Sequence, residues 1–318
     1  MVNITGKVLR ILPLRELETA AGAKKVIDII IADTLDYRRL SLWGEKAELV
    51  LRGDIKAGDV LRIENASEHR MNGGEKRANA GKYTTINRLP VNVTALSRTV
   101  ALNLTVLAVA RPEKGQVCIA GIEGENGDWI RPQGVYEHDV FRHGEEYFKN
   151  LCITKIYVDK WRGRHARKED RFFIYGEGVT REQNEAEKRD FLERNADNSV
   201  DAVFKAGRSL GLIKPRISHV YEEKPRKKGK SHEVYIRFNF RDSSGRIYRR
   251  WSCRCGDFYK TWNDLKSRHR WTYGWRMLRY LKKNDTYLAI GLTYSDYGAD
   301  RLEYGAYPMI VGVHVVRK

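Results

Sequence analysis

Along the first 90 residues, apolar and polar positions alternate with a period of two in the runs ITGKVLRIL, KKVIDIIIADT, RRLSLWG, DVLRIENA and KYTTINR. That period predicts strands with one face in a core and the other in water. Between the third and fourth runs, EKAELVLRGDIKAGD spaces Ala47, Leu49, Val50 and Leu51 for a turn or two of helix before Gly53 ends it. In RRLSLWG, turning Leu40 and Leu42 inward throws Ser41 and Trp43 outward. A tryptophan on a solvent face calls for a partner.

The pattern resumes after a polar, turn-rich stretch around LPVNVTALSRT, which predicts a boundary near residue 97. LTVLAVARPEKGQVCIAGIEGENGDWIRP reads as strand, strand, a turn at ENGD and a further strand. NLCITKIYVDKWRGRHARKEDRFFIYGEG reads as a strand pair around a basic connection. TREQNEAEKRDFLERNADNS predicts an exposed helix laced with opposite charges. SVDAVFKAGRSLGLIKP predicts a shorter amphipathic piece ended by Gly211 and Pro215. From 216 the strand plan repeats in ISHVYEE, the hairpin RFNFRDSSGRIYRRW, TYLAIGLTY and PMIVGVHVV, and SDYGADRLEYG reads as a long hairpin connection. Trp262, Trp271 and Trp275, with Leu265, Met277, Leu278 and Leu281, stand at partly helical spacing and are expected to pack in a core or between domains.

The order β-β-β-α-β-β is that of a five-stranded Greek-key barrel with a helix across its bottom, the OB-fold. The expected fold is mainly β with minor α, three OB-fold barrels in tandem: 1–96, 97–178 and 216–318, with a helical connector at 179–215. The motifs IADTLDYRRLSLWGEKAELV, GDVLRIENA and NAGKYTTI resemble the single-stranded-DNA-binding OB domains of the archaeal and replication-protein-A type. Those carry an L-T-L-W-G-[DE] third strand, a G-[DQ]-V-V-x-I-[EK]-N-A fourth strand and an L-N-x-G exit. By that resemblance Trp43 is a base-stacking ring on the open face of the barrel, and the nucleic acid is DNA. Where such domains often supply further aromatics, this chain has Ser67 and Met71. The second segment resembles the dual-OB family on Cys118, Ile119, Ala120, Gly121, Ile122, Trp129, Ile130, Arg131 and Pro132.

Charge sharpens this picture. Lys and Arg number 59 against 41 Asp and Glu, leaving +18 on 318 residues with a pI near 9.7, and most of the surplus falls after residue 95. A polyanionic partner is expected. Arg39, Arg62, Arg70, Lys76 and Arg77 are candidates to hold phosphates beside Trp43; interleaving with Glu64, Glu68 and Glu75 leaves open that they are simply solvated. In KWRGRHARK, Trp161 lies among Arg162, Arg164 and Arg167, the pairing of ring and guanidinium that single-strand binders use. Trp129 with Arg131, and Tyr248 with Arg250 and Trp251, are further candidates if they face outward, and the basic loop KPRKKGK at 224–230 could meet phosphate.

The sequence carries no common enzyme signature, and no cofactor is expected. Cys253 and Cys255 stand too close to imitate a zinc ribbon, and the four cysteines are dispersed as in a cytosolic chain. Asp257, Asp264 and Asp285, or Asp296, Asp300 and Glu303, could build a two-metal nuclease only if the fold assembled them. The expected protein is non-catalytic and binds single strands with little sequence preference. Partners are single-stranded DNA, with RNA possible, and other replication or repair proteins. No signal peptide or membrane span is apparent, so a cytoplasmic, nucleoid-associated location is expected. A nucleic-acid-processing enzyme and a protein-interaction scaffold are the alternatives.

Overall fold

The computed structural model describes residues 1–19, 22–33, 37–70, 76–90, 99–110, 117–142, 145–160, 167–223, 234–294 and 302–318. They form two units. One is Met1–Ala101 with Ile156–Ala166 and Phe172–Gly176; the other is Leu102–Lys155 with Arg167–Arg171 and Glu177–Lys318. The expected boundary at 97, Met71, the 224–230 loop and most of the 295–305 connection lie outside the described residues.

The first unit is built on β1 (Val2–Ile11), β2 (Arg15–Thr19), β3 (Gly22–Ala32), β4 (Tyr37–Trp43), α1 (Glu45–Leu51), β5 (Val60–Arg70), β6 (Lys76–Ala80) and β7 (Thr85–Leu89). Five of these strands close on themselves in the order β1-β3-β4-β6-β5-β1, with β4 and β6 parallel and the other pairs antiparallel. That cycle, with a helix between its third and fourth strands, is the OB arrangement. Ile27, Ile29 and Ile31 of β3 meet Leu40 and Leu42 of β4 and Leu61 and Ile63 of β5 in the interior. Gly44 takes φ 54, where L-residues are strained, and turns the chain directly from Trp43 into α1.

One strand differs from expectation. KYTTINR forms β7, which pairs on β5, while the strand that closes the barrel against β4 is β6. Its inward residues Ala78 and Ala80 are fully buried but only weakly apolar, so KRANA shows no hydrophobic alternation.

The chain continues with β8 (Val100–Ala110), β9 (Cys118–Glu123), β10 (Trp129–Gln133), α2 (Glu137–Val140), β11 (Phe141–Arg142), β12 (Glu145–Glu146), β13 (Cys152–Lys160) and β14 (Asp170–Glu182), mostly in the second unit, with the end of β13 and Phe172–Gly176 of β14 counted in the first. A closed barrel runs β10-β14-β13-β8-β9, the same cycle again. β14 continues to Glu182, past the expected barrel edge at 178. Next come α3 (Glu185–Asn195), started by a capping box of Asn184 and Glu187, and α4 (Val200–Phe204).

The remaining elements are β15 (Leu210–Ile213), β16 (Arg216–Glu223), β17 (Tyr235–Arg241), β18 (Ile247–Cys253), α5 (Gly256–Arg268), α6 (Tyr273–Lys283), β19 (Asp285–Leu292) and β20 (Pro308–Val316). They make a six-stranded sheet ordered β15-β19-β20-β18-β17-β16, with β18 and β20 parallel. Its two ends, β15 and β16, are one stretch of chain bent at Lys214 and Pro215. A first strand that pairs with the second over one half and the fourth over the other is how an OB barrel closes. Leu210–Ile213 is therefore strand, where the sequence suggested the end of an amphipathic helix.

Within this second unit, β20 lies against β8. A Cβ on Gly312 would stand 2.0 Å from the Leu107 carbonyl oxygen, so only glycine permits the approach. The fold is thus mainly β with short helices, two closed barrels and a third, six-stranded sheet whose strands follow the same OB order.

Candidate nucleic-acid interface

On β4, period two puts Leu40 and Leu42 inside and turns Tyr37, Arg39, Ser41 and Trp43 onto the outer face. Parallel pairing with β6 places Arg77 beside Arg39 and Asn79 beside Ser41. Trp43 holds the face the alternation predicts, but it is half-buried, and its indole N–H reaches Asn79 Oδ1 at 3.4 Å. At the other end of β4, some 20 Å away at about 3.3 Å per residue, the Tyr37 ring stacks on Phe172 with centroids 5.5 Å apart. Within the same unit the Arg10 guanidinium, almost wholly buried, lies 4.7 Å over the Phe173 ring.

The cations of this face are partly committed. Asp28, 1% exposed, takes Arg39 Nε at 2.7 Å and Arg15 Nη2 at 2.6 Å on one carboxylate oxygen. Two guanidinia on one buried carboxylate leave a net positive charge between Tyr37 and Trp43. Arg39 is therefore a positioned group and not a free surface cation. Arg62 projects from β5 paired with Glu64 at 2.8 Å and keeps 58% of its side chain exposed. Arg77 is half-buried; the side chains of Arg70 and Lys76 lie outside the described part. Ser67 is exposed opposite Asn79, as the sequence implied. Sequence reasoning missed Tyr83. It is 78% exposed in the turn between β6 and β7, with the Lys82 ammonium 5.8 Å from its ring.

In the second unit several candidates prove to be interior. Trp129 packs in the core shared by β8, β9 and β20. Arg131, 3% exposed, forms an ion pair with Asp170 at 2.8 Å. Burial opposes its charge, but Asp170 outweighs that and raises the Arg131 pKa. Tyr248 and Trp251 are also buried, packed on Phe240 with centroids 5.2 Å away in each case. Strict alternation would send residues three apart to opposite faces. A bulge at Arg250, which takes φ 60, puts Arg249 and Arg250 together opposite Asn239 and brings both rings inside. Arg250 itself is exposed and paired with Glu223. Arg167 is half-buried and donates to the carbonyls of Leu292 and Thr293 at 3.2 and 2.7 Å. Trp161, Arg162 and Arg164 lie outside the described residues.

The same unit offers a surface the sequence had assigned to packing. Trp262, Met277 and Leu281 are buried as expected, but Trp271 is 88% exposed and Trp275 60%. On α6, Tyr273, Met277 and Leu281 follow one i,i+4 stripe onto α5 and β16, and Trp275 and Arg279 follow another into solvent, with Trp271 exposed in the turn just before the helix. Arg270 lies 5.6 Å from the Trp271 ring and Arg279 5.3 Å from the Trp275 ring. Flat rings flanked by guanidinia are suited to bases and phosphates.

The carboxylates suggested for a metal site are occupied otherwise. Asp257 accepts from Asn150 at 2.7 Å, Asp264 pairs with Arg268, Asp285 with Lys214, and Glu303 with Arg246; Asp296 and Asp300 lie outside the described residues. Among the described residues no group of three or more His, Cys, Asp or Glu is placed to hold a metal ion. Cys253 and Cys255 are core residues whose thiols burial pushes up. No described helix is long and apolar enough to cross a membrane.

Fold and surface together define a tandem of OB barrels bearing exposed aromatic and cationic groups. Over 85 residues the chain is 35% identical to the single-stranded DNA binding protein Ssb of Saccharolobus solfataricus, a match spanning 27% of this chain and 53% of that protein. It therefore covers about half the length of that relative. Among solved structures, it is similar to the replication factor A related protein of Methanobacterium thermoautotrophicum, with 29% identity over 29% of this chain and 83% of that one and a TM-score of 0.26. It is also similar to a replication protein A heterotrimer bound to single-stranded DNA, with 10% identity over 99% of this chain and 93% of that one and a TM-score of 0.34. No family model matches the chain.

Proposed function

We infer that this protein binds single-stranded DNA, with little sequence preference and without catalysing a reaction on it. The observation that carries the reading is the outer face of β4, where Tyr37, Arg39, Ser41 and Trp43 project from an OB barrel as an aromatic–cation–aromatic row. The similarity to Ssb and a charge of +18 support it. Stacking is indifferent to base identity because every base has a π-face, and guanidinia meet phosphates at any sequence. Replication and repair proteins are the partners such a binder would serve, and a cytoplasmic, nucleoid-associated location fits it. RNA is a second ligand to compare, since neither contact reads the sugar.

Titration with oligo-dT, poly-rU and duplex at two salt concentrations tests the reading. Tryptophan quenching by oligo-dT is expected, with affinity falling about 0.7 log unit per log unit of salt for each phosphate neutralised. Absence of a salt-sensitive complex at low salt would overturn it.

A further inference from the structure

A cavity of about 570 Å³ opens within the second unit, between the β8–β9–β10 side of one barrel and β19–β20 of the other. Its volume lies within the roughly 300–1,000 Å³ of small-ligand pockets. Gly291, Leu292, Met309 and Val311 give it an apolar wall, with the core residues Ala108 and Ala120 packed against it. Arg131 and Arg254 border it on the polar side.

The polar side is a built arrangement. Asp170, below 3% exposed, receives Arg131 Nε at 2.8 Å and Gln133 Nε2 at 3.1 Å on one oxygen, and the Arg167 backbone N–H at 2.9 Å and the Tyr294 hydroxyl on the other. Tyr294 in turn lies under both guanidinia, 4.8 Å from Arg131 and 4.8 Å from Arg167. With both oxygens of Asp170 engaged, Arg131 is fixed, yet its Nη2 is buried and has no hydrogen-bond partner among the described residues. A buried charged donor left unpaired is rare in a folded protein and calls for an acceptor. Arg131, Arg167 and Arg254 against Asp170 leave the neighbourhood net positive.

We propose that this cavity is a binding site for a small organic anion, one phosphate or carboxylate joined to a flat ring, with the acid held by Arg131 and Arg254 and the ring laid on the wall of Leu292, Met309 and Val311. The cavity is lined only by residues of the second unit, and its proposal does not depend on the strand-binding reading. Arg254 donates no ion pair to a described carboxylate, so its charge can be removed without orphaning a partner. Cys118, the one thiol of the four that is partly exposed, also lines the cavity and serves as a reporter.

Calorimetric titration of the full chain, without nucleic acid, with adenosine 5′-monophosphate, thymidine 5′-monophosphate and benzoate tests the proposal. Saturable binding of a nucleotide or of benzoate is expected, and which one binds tells phosphate from carboxylate. Met309→Trp, which fills the cavity from its half-buried rim, and Arg254→Gln should each weaken it about tenfold or more, a loss of about 1.4 kcal/mol. The bound probe should slow iodoacetamide alkylation of Cys118, read by peptide mass spectrometry. No saturable binding of any probe, binding unchanged in both variants, or unprotected Cys118 at saturation would each overturn it. A circular-dichroism melt of each variant confirms that it is folded before titration.

Discussion

His314 Nε2 stands 2.8 Å from the Leu107 carbonyl oxygen, tying β20 to β8 in the interior of the second unit. To donate that bond the ring carries its proton on Nε2, and its second nitrogen is buried and unprotonated. Burial pushes its pKa down to about 4, opposed only in part by the Leu107 carbonyl and Asp257.

A depressed histidine pKa means the unfolded chain takes up a proton that the folded chain refuses. This contribution to stability is complete above the unfolded value near 6.5 and is lost as pH falls from there to about 4, to the extent of about 3 kcal/mol. Urea denaturation at pH 7, 6, 5 and 4 should show that decline, and His314→Gln should flatten it. An equal decline in the variant would assign the pH dependence to other groups.

Exposed rings should matter to ligand and not to folding. Trp271→Ala with Trp275→Ala should leave the melting temperature unchanged and weaken oligo-dT binding at least about tenfold, since a stacked base contributes about 1 to 3 kcal/mol. Trp43→Ala, whose indole is half-buried against Asn79, should weaken binding by less. Anisotropy titrations of the variants rank the two surfaces; a larger loss from Trp43→Ala would put the main contact on the first barrel.

Asp28 restrains two guanidinia at the centre of the β4 face. Asp28→Asn should release them, tighten single-strand binding at low salt and steepen the salt dependence by about 0.7 for each arginine that reaches a phosphate. A lower melting temperature should accompany this, because the carboxylate is buried. An unchanged slope would mean that Arg15 and Arg39 never face the strand.

Arg131→Gln should destabilise the fold by about 3 to 5 kcal/mol, the usual cost of leaving one member of a buried ion pair alone. Single-strand affinity of the molecules that remain folded should be unaltered, because Arg131 is interior. Denaturant midpoints and a titration at low temperature separate the two effects.

The sequence announced these outcomes unevenly, for reasons that lie in particular side chains. Strong alternation in β3, β4, β5 and β17 made the strand plan and the outward face of Trp43 readable. β6 escaped because alanines fill its interior positions without marking them, and β15 because four buried residues in a row show no alternation. Tyr248 and Trp251 were misplaced because one residue with positive φ shifts the parity of a strand, and nothing local signals it. Arg131 was misplaced because the carboxylate that buries it lies 39 residues further along. At the start of α6 the spacing of Trp271 and Trp275 fits an inner or an outer stripe equally; only the neighbours α5 and β16 decide.

The bend at Pro215 bears on how the protein keeps to itself in a crowded solution. An open six-stranded sheet would present two long rows of unpaired amides to any passing chain. Here the two outermost strands are a four-residue and an eight-residue segment of one peptide, meeting at a residue that has no N–H to offer. Short, interrupted edges are poor templates for intermolecular strand addition. Short edges of this kind lower the risk of fibrillar association wherever copies of a chain are brought close together.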